Sequence, residues 1–183
     1  MTTANNSKLK TYGEWAIALF MIFVLSASLP FKFTGHAQPT HIFEVVGTWL
    51  HIGLLRDHGA VIIGVFELIA SLLLLVPSLR IYGAGLAFGI ISGAIVFHLF
   101  SPLGVNVVFY ADADKNPVSA AIAEAAGGPY ADFFTADSLG EALYYQGVDT
   151  ELFWLAVGTW IGALIIFALR KGEVLALLGK GDA

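Results

Sequence analysis

The sequence predicts an all-α integral membrane protein, a four-helix bundle with an added amphipathic helix at its outer interface. Three observations carry this. The first is composition: 57% of the 183 residues are hydrophobic, 13% are charged, and mean hydropathy is +0.79. That balance belongs to polytopic membrane proteins rather than soluble domains. The second is four apolar runs near the length a helix needs to cross a hydrocarbon core of about 30 Å at roughly 1.5 Å per residue. The third is the placement of basic residues. Lys8, Lys10, Arg80, Arg170, Lys171 and Lys180 fall on one side of the runs, and Lys32, Arg56 and Lys115 on the other. The positive-inside rule then puts both termini in the cytoplasm of a bacterial-type membrane.

Residues 1–11 are polar and predict a disordered lead-in. The first span is expected over 14–33, with Tyr12 and Trp15 at its start and Lys32 at its end. Its apolar run is too long for a secretory signal core and lacks an A-x-A exit, so it is expected to be retained. Residues 39–55 do not read as a span. Ile42, Val45, Val46, Trp49 and Ile52 form one helical stripe, and His41, Glu44, Thr48 and His51 the opposite one. This predicts an amphipathic helix lying in the outer interface. His41 and Glu44, one turn apart, are a weak metal candidate; a solvated polar face accounts for them as well, because a site needs three or four convergent ligands.

The second span is expected over 60–76, AVIIGVFELIASLLLLV, closed by Pro77. The third covers 81–100 and ends at Ser101-Pro102; the fourth covers 152–169 and ends at Arg170-Lys171. Gly85, Gly89 and Gly93 repeat every fourth residue in the third span, as do Gly158 and Gly162 in the fourth. Such stripes let helix backbones approach closely. Packing within the chain is the plainer reading and a homodimer seam the alternative.

Residues 101–151 form a long extracytoplasmic loop, acidic apart from Lys115. Short helices are expected at 118–126 and 138–146, the second opened by Asp137 or by a Ser138/Glu141 capping box. Asp112, Asp114 and Asn116 open like a calcium loop, but Pro117 and Ala123 stand where that loop needs glycine and glutamate, so a polar turn is the plainer reading.

Glu67 is the unusual residue. An acidic group at bilayer depth costs roughly 2.5 to 3.5 kcal/mol on insertion scales. It must be protonated, paired or turned inward. Glu67 lies about 12 Å in from the outer end of its span. His98 ends the third span, and Lys32, followed by Phe33, Gly35 and His36, ends the first. Ser26, Ser28, Ser71 and Ser92 lie at depths that reach the same layer. Burial disfavours a charged carboxyl group and a nearby cation favours it, so converging groups of this kind could bind and exchange a proton with a quinone. A satisfied network that fixes helix register is the competing reading.

These residues resemble a known family. Lys32-Phe33-x-Gly35, Gly64-x-x-Glu67, Arg80, and His98-Leu-Phe-Ser-Pro-Leu-Gly-Val, in that order and spacing, are similar to the DoxX-like membrane proteins. The resemblance covers all four spans; the stretch 107–149 departs from it as an insertion. It implies a four-helix membrane bundle, with Lys32, Glu67 and His98 as the matching polar positions. It also implies a link to membrane oxidoreductase systems, including quinone-linked thiosulfate oxidation and thiol-stress complexes.

Three functions follow as expectations. One is a small membrane subunit of a respiratory or redox system, with a quinone or another lipid-soluble ligand near Glu67. The second is an accessory subunit docking other membrane subunits through the 101–151 loop. The third and weakest is a small-solute transporter, since no paired broken helices are visible. Whether the chain is an enzyme, and which residues would be catalytic, stays open. The absence of cysteine excludes dithiol exchange by this chain. No haem, iron–sulfur, nucleotide or nucleic-acid signature is present.

Overall fold

The computed structural model describes residues 2–101, 103–105, 107–110, 145–149 and 151–179. The expected helical architecture stands. Four helices are long and apolar enough to cross a membrane: Lys8–Phe33, Gly53–Leu75, Arg80–Phe100 and Glu151–Leu169.

The first of these differs from expectation at both ends. Helix α1 (Thr2–Ala27) begins at Thr2 rather than after a disordered lead-in. A formed span extends cheaply, since each added residue gains a hydrogen bond without a new nucleus. No proline interrupts residues 2–12. At the other end α1 stops at Ala27 and restarts as α2 (Leu29–Phe33). Pro30 accounts for the break. It has no N–H for the carbonyl of Ser26, four residues back, and its ring crowds that oxygen.

Helix α3 (Ala37–Leu50) follows a turn at Gly35, whose φ is 70°. It ends five residues short of the expected boundary, because His51 takes a left-handed conformation, φ 58°, and Ile52 N–H donates to the Gly47 carbonyl at 2.9 Å. Helix α4 (Gly53–Leu75) then starts well before residue 60. The expected polar stripe of α3 is also corrected. Glu44 and Thr48 are exposed, but His41 is buried, and Trp49 and Ile52 of the apolar stripe are exposed. The reason is the neighbour. Gly47 lies against the Arg56 backbone, and Phe43 packs on Gly59, so α3 buries the side that meets α4.

Helix α5 (Arg80–Phe100) leads into a turn at Gly104, φ 70°. Strands β1 (Val107–Tyr110) and β2 (Tyr145–Asp149) then pair antiparallel, Val107 opposite Asp149, with an irregularity between Phe109 and Tyr110. Tyr145 and Gln146 therefore belong to a strand, not to the helix expected over 138–146; pairing with β1 wins over local helix preference there. The rest of that helix, the one at 118–126, and Asp112, Asp114 and Asn116 lie outside the described residues. Helices α6 (Glu151–Leu169) and α7 (Lys171–Leu177) are the last described elements.

The chain divides into two compact units. One comprises residues 1–29, 65–93 and 155–183. Its core includes Ala18, Met21, Leu25, Ala70, Leu74, Ala84, Ala87, Ala163 and Ile166. Small residues set its spacing: a Cβ on Gly83 would fall 2.7 Å from the Leu74 nitrogen, and one on Gly162 would fall 3.1 Å from Met21 Cγ. The α5 stripe behaves differently. A Cβ on Gly85 or Gly89 would meet nothing within 4 Å, so packing within the chain does not explain those two glycines among the described residues. The other unit comprises residues 30–64 and 94–154, with Phe43, Val45, Val46 and Leu103 buried.

Candidate functional site

Glu67 sits in the middle of α4 and is 6% exposed. The break at Pro30 positions its neighbours. Ser28, in the gap between α1 and α2, places its hydroxyl 3.3 Å from Glu67 Oε2 and 3.3 Å from the Leu25 carbonyl. Both distances are long for a hydroxyl donor, and the two acceptors compete for one proton. One turn along α4, buried Ser71 donates to the Glu67 backbone carbonyl at 2.8 Å, and Ser26 lies 3.4 Å from the Ser71 hydroxyl. Three of the four expected serines thus share a polar layer with the carboxylate. Ser92 does not: it accepts from Trp160 Nε1 at 3.0 Å, while the Trp160 ring stacks on Phe88.

The other candidates are placed as follows. His98 is buried, and its Nδ1 lies 2.7 Å from the Gly104 carbonyl. A carbonyl only accepts, so Nδ1 carries the proton, and in the neutral ring Nε2 is left with the lone pair. Phe153 meets the imidazole edge-on. Ser101 braces the same turn, donating to the Phe97 carbonyl and accepting from Leu103 N–H. Lys32 is half-buried on α2; a Cβ on Gly64 would lie 3.5 Å from its Cβ and 3.2 Å from the Phe33 ring, so Gly64 is what lets α2 approach α4. His36 is exposed, edge-on to Phe31 at 5.2 Å.

Of the weak metal candidates, His41 is buried and Glu44 is exposed on the same helix, and Asp112 and Asp114 lie outside the described residues. Among the described residues no three of His, Asp and Glu form a group fit for a metal ion. Burial instead pushes the His41 imidazole down to about 4, well below the usual histidine range.

A second polar cluster is absent from the sequence reading. Glu14 Oε1 accepts from Arg80 Nη1 at 2.9 Å and from Arg170 Nε at 2.7 Å. Arg80 also donates from Nε to the Leu74 carbonyl at 2.9 Å, and its guanidinium lies 4.0 Å from the Trp15 ring centroid. Arg80 is 2% exposed. One carboxylate and two guanidiniums therefore tie together a turn of α1, the end of α4, the start of α5 and the end of α6. Burial would lower the pKa of Arg170, but hydrogen bonding and charge from Glu14 and Glu173 outweigh this and raise it. The available signal was Glu14 itself, the one acid among the basic residues at that end of the first span.

Together these features define a class: a cysteine-free helical protein with four membrane-length helices, a carboxylate held at mid-span among hydroxyls, and an arginine clamp at one set of helix ends. Searches of protein-family models, curated proteins and solved structures find no match to this chain.

Proposed function

We propose that the chain is a small integral membrane subunit of a respiratory or redox system, a four-helix bundle of the DoxX-like type that takes a quinone or similar lipid-soluble ligand near Glu67. In this reading both termini are cytoplasmic and the 101–151 loop is extracytoplasmic. The observation that supports it is the burial of the Glu67 carboxylate beside Ser28, since an ionisable group within a membrane span is costly and by default marks a functional site. A carboxyl group there can hydrogen-bond a quinone carbonyl and exchange its proton. His98 and Lys32 are the further proton-exchange candidates.

The test is purification in mild detergent, with co-purifying lipid-soluble molecules identified for the wild type and for Glu67→Leu, which removes the donor. Leaving a buried quinone carbonyl without its donor costs about 1 to 3 kcal/mol, so quinone retention should fall about fivefold or more in the variant. Equal retention in both proteins rejects the proposal.

A second reading, an accessory subunit docking through the loop, is favoured by one observation. The β1–β2 ribbon joins the two ends of the insertion and gives it a folded root. A two-stranded ribbon also offers backbone edges to a partner strand. Deleting residues 112–146 should then abolish co-purification of partner subunits.

A further inference from the structure

Helix α7 follows α6 after a single residue, Arg170. Arg170 is pinned, with Nη2 2.6 Å and Nε 2.7 Å from Glu14 Oε1. The start of α7 is thereby fixed where the long apolar helix ends, beside the turn of α1 that carries Glu14. The short helix has two faces. Val174, Leu175 and the cap residue Leu178 share one, with Leu177 at its flank; Gly172, Glu173 and Ala176 share the other.

No residue of α7 is buried, and Leu175, Leu177 and Leu178 are 43%, 55% and 65% exposed. This apolar face continues directly from a 19-residue apolar helix. A helix that leaves the end of a span with one greasy face and one polar face belongs in the lipid headgroup boundary. Charge selects the lipid. Lys171 is exposed at the start of the apolar face, where its stem can lie along hydrocarbon while the ammonium reaches the headgroups. Lys8 and Lys10 are exposed on α1, and Lys10 lies one turn before Glu14, on the face that Arg170 meets. The acids nearby, Glu14 and Glu173, are already paired with arginine.

We propose that α7 is an interfacial anchor. Its Val174, Leu175, Leu177 and Leu178 face inserts into the leaflet beside the Glu14–Arg170 pair, and Lys171, Lys10 and Lys8 select anionic headgroups. The chain has no cysteine, so single cysteines report cleanly. The full chain carrying Leu178→Cys or Ala176→Cys, each labelled with a polarity-sensitive dye, is reconstituted into vesicles of phosphatidylcholine and phosphatidylglycerol containing a shallow spin-labelled lipid. The dye at 178 should emit at shorter wavelength than that at 176 and be quenched by the spin label. Equal, water-like emission at both positions overturns the anchor. So does a shielded but unquenched dye at 178, which would mean that protein covers the face. Adding Lys171→Gln should lower the ratio of seated to unseated α7 about fivefold in the anionic vesicles and leave it unchanged in pure phosphatidylcholine. An equal effect in both lipids overturns the choice of an anionic surface.

Discussion

Arg80 Nη1 lies 2.9 Å from Glu14 Oε1, although 66 residues separate them in sequence. Arg170 reaches the same oxygen, so Glu14 is the only carboxylate that Arg80 meets among the described ion pairs, whereas Arg170 also holds Glu173. The two arginines are therefore unequal. Replacing Glu14 by Gln strands a nearly fully buried guanidinium, a loss that costs about 3 to 5 kcal/mol in buried pairs. Replacing Arg170 by Gln leaves Glu14 with Arg80 and should cost clearly less. Thermal unfolding in detergent should rank Glu14→Gln well below Arg170→Gln, and the double variant Glu14→Gln with Arg80→Met should recover part of the loss.

Two glycines should respond in opposite directions. A Cβ on Gly47 would run into the backbone and Cβ of Arg56, which cannot rotate away. Gly47→Ala should destabilise by about 1 to 3 kcal/mol through overpacking. A Cβ on Gly89 would meet nothing within 4 Å among the described residues. Gly89→Ala should leave the monomer as stable or stabilise it by up to about 1 kcal/mol. Paired melting curves check both signs, and sedimentation of Gly89→Ala reveals whether that face serves self-association.

The turn between α3 and α4 stores a small strain. His51 holds φ 58° with a side chain that disfavours it. His51→Gly should stabilise the protein by about 1 kcal/mol, since glycine adopts that conformation without the Cβ clash. A lowered melting temperature in this variant would mean that the imidazole has a role beyond the turn.

His41 should make stability depend on pH. Its folded-state pKa is about 4, while an exposed histidine titrates near 6.5. Between those values the unfolded chain binds a proton that the folded chain refuses. The contribution is complete above about pH 6.5, falls as pH drops towards 4, and levels off below. The span is worth about 3 kcal/mol as an order of magnitude. Melting temperatures from pH 7 to 4.5 should fall more steeply for wild type than for His41→Gln.

The legible parts of this molecule are those set by composition along one helix. Glu67 could be placed at mid-span by counting residues, and its burial follows from the cost of exposing it to hydrocarbon. The company it keeps was only half legible. Ser26, Ser28 and Ser71 lie at the right depth, as Ser92 does, yet Ser92 turns to Trp160. Depth follows from a fixed rise per residue, but direction around the helix follows from the neighbour. The same limit explains α3, where His41 belongs to a polar stripe by periodicity and is buried because Gly47 and Gly59 draw α3 and α4 together.

The sequence by itself determined which stretches are helical and long enough to cross a membrane, because hydrophobicity and hydrogen-bond satisfaction act on each segment separately. It also determined that dithiol chemistry is closed to this chain. Only the tertiary structure decided that Glu14 would be shared by Arg80 and Arg170, that Ser28 would reach Glu67 across the break at Pro30, and that Gly85 and Gly89 would meet no neighbour among the described residues. Those are relations between helices distant in sequence. They depend on how each helix is rotated about its axis, a quantity that packing sets and that no single segment contains.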